Sequence, residues 1–371
     1  MEIVGRHHQG PVPQLPEMAR RLPLPHVSTP LLPEIPLPLL VTGVAGVAGY
    51  NAFHAFRQRY GEQVIGQRPV NNWPLSGPGI VACDLDDARA VRQLVQRYQF
   101  GSVLSCGGSC ALKSCELDPP MARRLNVVAI DNLLDALAGQ PNRLVHLSID
   151  LVYSGTRGGG HLETDPVDPV TVYGQTMVAA ESLVGTRRPD ACILRISLPM
   201  GISFNGHAGA IDWIQSRFAK GRPATLYFDE IRTPTYVECL NRVIAEVLSR
   251  DLCGLFHAGG PRPVSLYQIA QIVNRVGGYD PGLLQGCLRH EAGPIPPRAG
   301  NVTMNSRKLA VALGQDGFVP WPANPLHFPG DDQWHFRGSG GFETGPQVLR
   351  DVLYNRPPPV DCPNWQENRS K

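Results

Sequence analysis

From Pro38 onward, short apolar runs alternate with stretches of helical period, and few architectures accommodate that rhythm. Residues 39–42, 63–65, 79–83, 102–105, 144–148 and 191–196 read as strands. Between them, residues 50–60 carry Phe53 and Phe56 at helical spacing, and a second stretch carries Val91, Leu94 and Val95. Residues 125–137 are amphipathic, with Gly139 placed to end a helix. Strands linked by helices imply βαβ units, and therefore a parallel sheet wound on both faces. Beyond Pro199 the pattern is mixed, as in a smaller second lobe. From about Val319 it gives way to Pro, Gly and Trp, with one short helix expected near residues 347–353.

Ahead of this region, prolines at 11, 13, 16, 23, 25, 30, 33 and 36 make residues 1–37 an arm. Proline fixes φ and has no amide donor, so the arm forms neither a helix nor an interior strand. Hydrophobic residues make up 42% of the 371, enough to bury a large core. A net charge of +2 with 18% charged residues argues against a nucleic-acid groove. No apolar run reaches the ~18 residues needed to span a bilayer, and residues 1–21 lack the pattern of a secretory signal. Nine cysteines without a compact spacing read as thiols in a reducing compartment, so a cytoplasmic protein is expected.

Gly43, Gly46 and Gly49 stand between the first strand and the first helix. A turn of this kind lets backbone approach a pyrophosphate closely and aims a helix N-terminus at it, so a dinucleotide is expected there. The spacing is GxxGxxG, which departs from the ordinary GxGxxG fingerprint. The second strand ends in Gly66-Gln67-Arg68 with no acid to hold ribose hydroxyls. Arg68 therefore points to NADP over NAD through a 2′-phosphate, although a solvated surface arginine reads equally well. The organisation expected is a proline-rich arm over 1–37, a dinucleotide-binding domain over 38–198, a substrate-binding lobe over 199–318 and an irregular tail over 319–371.

The run VTGVAGVAG resembles the nucleotide-binding turn of extended short-chain dehydrogenases/reductases, and further matches follow in order. Asp84-Leu85-Asp86 resembles the family's acidic contact to adenine, Ser105-Cys106-Gly107-Gly108 its small-residue loop, and Asn126 an asparagine in the next helix. Residues 148–155 resemble the STDYVFDG segment of the dTDP-4-dehydrorhamnose reductase group, and residues 172–177 its YGKTK. Segments 194–201, 229–234, 257–261 and 305–309 continue the likeness, which spans about residues 38–315. The resemblance implies a Rossmann-type doubly wound sheet, a smaller mixed C-terminal lobe, a nicotinamide cofactor and a nucleotide-linked sugar.

It also implies a relay of Ser or Thr, Tyr and Lys. The tyrosine donates a proton to the carbonyl while the nicotinamide delivers hydride, and the lysine lowers the tyrosine's pKa and holds the nicotinamide ribose. Carried over, the tyrosine is Tyr173, which is also expected to contact the cofactor. The lysine position is Met177 and the hydroxyl position Ile149, with Ser148 one residue early. Neighbouring strand residues face opposite ways, so Ser148 is no simple substitute. Lys113 is the lysine that a loop brings nearest.

The expected site is thus Tyr173 for catalysis, Gly43, Gly46, Gly49, Arg68, Asp84 and Leu85 for NADP or NAD, and Asn126 and Arg232 for substrate. Arg232 suits a diphosphate, but pairing with Asp229 or Glu230 reads as well. Cys106, Cys110 and Cys115 lack the CxxC pairs of a structural zinc site, so no metal is expected. Glu116 and Asp118 read as a substrate loop or a solvated one. Trp334 and His335 stand in a tail that covers either the cleft or a partner. Two functions remain open: a nucleotide-sugar oxidoreductase with an atypical site, or a dinucleotide-binding sensor, regulatory or structural partner. A homodimer or a protein partner is compatible with either.

Overall fold

The computed structural model describes residues 32–206, 209–338 and 341–354. The proline-rich arm lies outside the described residues up to residue 31. The first half of the fold runs β1 (Leu39–Val41), α1 (Val47–Tyr60), β2 (Val64–Arg68), β3 (Ile80–Ala82), α2 (Ala88–Tyr98) and β4 (Ser102–Ser105). It continues with α3 (Leu112–Leu117), α4 (Pro119–Arg123), α5 (Ala129–Ala136), β5 (Arg143–Ile149), α6 (Val172–Arg187) and β6 (Cys192–Ile196). The second half brings β7 (Pro199–Met200), α7 (Ala210–Ala219), β8 (Ala224–Tyr227), β9 (Ile231–Arg232), β10 (Thr235–Tyr236), α8 (Val237–Ser249) and β11 (Gly254–Ala258). It closes with β12 (Val264–Ser265), α9 (Leu266–Val276), β13 (Leu284–Cys287), α10 (Arg307–Leu313) and α11 (Pro346–Leu353).

Seven strands pair in the order β11-β6-β5-β4-β1-β2-β3, all parallel. This is the doubly wound sheet expected from the βαβ rhythm. Its winding reverses between β1 and β4, where Leu39 sits opposite Ser102 on one side and Val64 on the other. Ligand clefts form outside the strand ends at such a reversal. The seventh strand, β11, comes from residues 254–258, inside the stretch expected to form the second lobe. The chain after β6 adds three small pairs, β10 with β7, β12 with β9, and β13 with β8.

Local chemistry explains the helices. On α2, Val91, Leu94 and Val95 turn one face into the core, while Asp87 accepts from the amides of Arg89 and Ala90 to start the helix. The core layer joins these residues to Leu40, Ile65 and Val103 of the strands and to Ile130, Leu133 and Leu134 of α5. Between α4 and α5 the chain makes a wider π turn over Arg124–Val128, where regular helix was expected. Such a single turn with i→i+5 bonding recurs at functional sites; here it carries Asn126. In the tail, Trp334 stacks under the Arg275 guanidinium at 4.2 Å, and His335 Nδ1 lies 3.2 Å from Gln271 Nε2. These aromatic residues therefore cover α9 of the lobe.

Candidate functional site

A cavity of about 490 Å³ opens at the strand ends and runs from the glycine turn to Arg232 and Leu266. Gly43 has φ +66°, and a Cβ there would stand 2.5 Å from the Cys106 carbonyl oxygen. At Gly49 a Cβ would stand 2.4 Å from the Gly43 carbonyl oxygen. Those two glycines make the turn possible. Gly46 differs: the nearest atom to its Cβ would be 3.5 Å away, so a side chain there would meet no protein atom closely and would take up space at the cavity wall. Gly46 also caps α1, whose first turn has no side-chain cap and no acid. Bare amides at a helix start, backed by glycine, fit the pyrophosphate of a dinucleotide.

Two residues that the sequence did not single out hold this turn. Gln67 accepts from the Gly43 amide at 2.9 Å and donates to the Cys83 carbonyl at 2.5 Å. The Thr42 hydroxyl oxygen accepts from the amides of Cys106 and Gly107, each at 3.0 Å. Asp84 and Leu85 line the same cavity, and Asp84 also accepts from the Val70 amide at 2.8 Å. Arg68 is not among the lining residues. Its guanidinium donates to the carbonyls of Pro69 and Val70 at 2.9 and 3.0 Å.

Tyr173, Met177, Ile149 and Ser148 all line the cavity, so the relay positions do converge. Tyr173 and Met177 share a face of α6 because they are four residues apart. Thr171 starts this helix by accepting from the Gly174 amide at 2.9 Å, and Glu116 accepts from the Val172 amide at 2.7 Å. Glu116 thus serves the helix start. Asp118 does the same for α4 by accepting from the Met121 amide at 3.0 Å.

No described residue hydrogen-bonds the Tyr173 hydroxyl. Burial pushes its pKa far above the ordinary tyrosine value, Cys110 and Asp150 push it further, and Arg232 opposes them. Lys113 lies exposed on α3 and is not a lining residue. The missing lysine therefore has no lysine in its place.

Arg232 does line the cavity, but its partner is neither Asp229 nor chiefly Glu230. Asp150, fully buried, receives Nε at 2.6 Å and a second bond from Nη2, while the Ser197 hydroxyl donates to it at 2.6 Å. Glu230 stands 3.9 Å from Arg232 and 3.7 Å from Arg298, a further lining arginine. The Ser148 hydroxyl donates to Glu181 at 2.5 Å, and Glu181 is gripped by Arg195 at 2.8 and 2.6 Å. Arg195 reaches on to the Tyr153 hydroxyl at 2.6 Å, itself 2.9 Å from His257 Nε2. Ser148 is therefore committed beneath the site.

Asn126 lines the cavity while its amide is spent on structure. Its oxygen accepts from the Ser109 amide at 2.7 Å, and its nitrogen donates to the Thr176 hydroxyl at 2.9 Å. Cys106 and Cys110 are lining thiols, and burial keeps Cys106 protonated. Among the described residues no group of three or more His, Cys, Asp or Glu is placed to hold a metal ion. Likewise, no described helix is long and apolar enough to cross a membrane.

The profile of the RmlD substrate binding domain matches residues 37–321. The chain is 27% identical to a dTDP-4-dehydrorhamnose reductase of Mycolicibacterium smegmatis, over 62% of this chain and 70% of that protein. It is 26% identical to methionine adenosyltransferase 2 subunit beta of Xenopus tropicalis, over 69% of this chain and 80% of that protein. A crystal structure of dTDP-4-dehydrorhamnose reductase from Bacillus anthracis in complex with NADP superposes with TM-score 0.66 at 19% identity, covering 76% of this chain and 95% of that one. With the profile matched across residues 37–321, most of its length, the chain belongs to the RmlD substrate binding domain family.

Proposed function

We propose that this protein is an NAD(P)-dependent oxidoreductase-like protein that acts on a nucleotide-linked 4-keto deoxysugar, with an atypical active site. The observation that carries this reading is a single cavity joining the glycine turn, the Tyr173 hydroxyl and the two arginines Arg232 and Arg298. The residues around Gly43, Gly46 and Gly49 would hold NADP or NAD, with Asp84 and Leu85 at its adenine end. Residues 199–318 would supply the lobe side that takes the sugar nucleotide. When bound, a reduced nicotinamide supplies hydride. Tyr173 holds a proton on a phenol oxygen that no described residue hydrogen-bonds, and donates it to the substrate carbonyl. Met177 brings no charge to favour tyrosinate, and Ile149 brings no hydroxyl to polarise the carbonyl, so reduction is slow. Arg298, whose contact with Glu230 at 3.7 Å is looser than the grip of Asp150 on Arg232, offers its guanidinium to a diphosphate. The free thiols at Cys106, Cys110 and Cys115 suit the cytoplasm.

A second reading is favoured by Met177 and Ile149 themselves: a dinucleotide-binding subunit that no longer turns over and serves a protein partner. The likeness to a protein named as a transferase subunit supports it. Turnover of a dTDP-4-keto-6-deoxysugar with NADPH separates the two. Measurable reduction that Tyr173→Phe abolishes supports the oxidoreductase. Tight NADPH binding without turnover, in the native protein and in Ile149→Thr/Met177→Lys alike, supports the subunit.

A further inference from the structure

The cavity has a wall that comes from outside the family domain. The profile match ends at residue 321, yet Leu353 and Tyr354, at the end of α11, line the same cavity as the glycine turn. This wall is built into the fold. The Gly345 amide donates to the Val276 carbonyl at 2.8 Å, anchoring the start of α11 to the end of α9. Near its other end, the Tyr236 hydroxyl donates to the Val352 carbonyl at 3.3 Å and accepts from the Ala323 amide at 2.8 Å. Leu349, Val352 and Leu353 are buried. The side chain of Tyr354 is 8% exposed, and no described residue hydrogen-bonds its hydroxyl.

The neighbours of Tyr354 locate it within the cavity. Among nearby charges, the Asp212 carboxylate weighs most on its hydroxyl. Asp212 begins α7, accepting from the Ser203 hydroxyl at 2.6 Å and the Gly209 amide at 3.3 Å. A Cβ at Gly209 would stand 3.4 Å from Val47 Cγ2, in the first turn of α1. The loop before it is tied to the same helix, for Asn51 Nδ2 donates to the Ile202 carbonyl at 2.7 Å. Tyr354, Asp212, Gly209 and Val47 at the start of α1 all line the cavity, so Tyr354 shares that wall with the bare amides of the helix start. Burial first, and then the Asp212 charge, keep the Tyr354 phenol protonated, and a neutral O–H is a donor for phosphate or ribose oxygens.

We propose that Tyr354 is a dinucleotide-binding residue, whose hydroxyl donates to the phosphate–ribose part of the cofactor opposite the N-terminus of α1. The proposal rests on the dinucleotide reading above and adds to it a contact from the C-terminal extension. It makes α11 a fixed side of the cofactor site, and it gives the segment after residue 321 a role in binding.

The test compares native protein, Tyr354→Phe and Tyr354→Ala in fluorescence titrations with NADPH, and in calorimetric titrations with thymidine diphosphate. Tyr354→Phe keeps the ring and its packing and removes only the donor. The expected result is NADPH binding weakened roughly fivefold in Tyr354→Phe, as loss of one hydrogen bond implies. Thymidine diphosphate affinity and thermal midpoint should stay as in the native protein. NADPH affinity unchanged in Tyr354→Phe overturns the proposal whatever Tyr354→Ala does, and so does a loss confined to thymidine diphosphate. If Tyr354→Ala fails to fold, Tyr354→Phe still decides. Native protein that binds no NADPH removes the dinucleotide reading itself, an outcome distinct from variants that bind like the native chain.

Discussion

Asp150 takes Arg232 with both carboxylate oxygens, so the cation whose charge reaches the Tyr173 hydroxyl is already neutralised. A tyrosine that is to act as an acid–base group gains from a free positive charge beside it. Here burial dominates and the hydroxyl stays protonated. The chemistry open to this site follows from that pairing together with Met177 and Ile149.

Restoring the absent groups should restore rate. The double change Ile149→Thr/Met177→Lys places a hydroxyl and an ammonium at positions that line the cavity beside Tyr173. Its rate on a dTDP-4-keto-6-deoxysugar should rise about 10²-fold, the lower range for a positioned acid–base group. Steady-state assays with NADPH check this, and an unchanged rate would contradict the placement of these residues.

The pH dependence should separate the two forms. Because burial raises the Tyr173 pKa well above the ordinary value, native turnover should show no limb from tyrosine ionisation between pH 7 and 10. In Met177→Lys the added charge lowers that pKa, and a limb should enter the accessible range. Rate profiles of the two proteins across that interval provide the comparison.

Gly46 and Gly49 should fail in different ways. Gly46→Ala meets no close protein atom, so the fold should hold while NADPH binding falls at least tenfold, because a methyl group then occupies the place of the cofactor. Gly49→Ala drives a methyl group against the Gly43 carbonyl and should cost about 1–3 kcal/mol of stability. Melting curves paired with NADPH titrations distinguish the outcomes, and equal stability loss in both variants would contradict the assignment.

Acid should weaken the fold above pH 4. Burial lowers the pKa of His146 to about 4, and that of His257 likewise to about 4. Between about pH 6.5 and 4 the unfolded chain binds protons that the folded chain refuses, so stability is complete above 6.5 and is lost as pH falls toward 4. The loss from His146 alone is on the order of 3 kcal/mol. Urea unfolding at pH 7.5 and 4.5 measures it, and a stability independent of pH would refute the burial argument.

Much of the sheet was legible because its strands are short apolar runs bounded by glycines and helices. All six strands read from the pattern are present, 102–105 with the same bounds and the others shifted by one to a few residues. β11 was missed because residues 254–258 follow a long mixed stretch that hides the return to the sheet. The converging Tyr173, Met177 and Ile149 were legible through resemblance, since side-chain type at each position is in the sequence. Partners were not. Asp229 and Glu230 adjoin Arg232 in sequence, yet Asp150, 82 residues away, holds it. Arg68 is read as a phosphate contact from its residue type and Asn126 as a substrate contact from the resemblance; the sequence does not show that Arg68 donates to backbone carbonyls, or that Asn126 bonds Ser109 and Thr176 while lining the cavity. Tyr354 carried no signal, because nothing local to residues 346–354 says that the helix ends at a cleft.

The most direct measurement is a fluorescence titration of the purified chain with NADPH and with NADH. Saturable binding at micromolar concentration, lost in Gly46→Ala, is the predicted result, and the tighter of the two names the coenzyme for turnover. Absence of binding at millimolar concentration of either would contradict a dinucleotide in the glycine turn, and with it both the oxidoreductase and the cofactor-binding subunit.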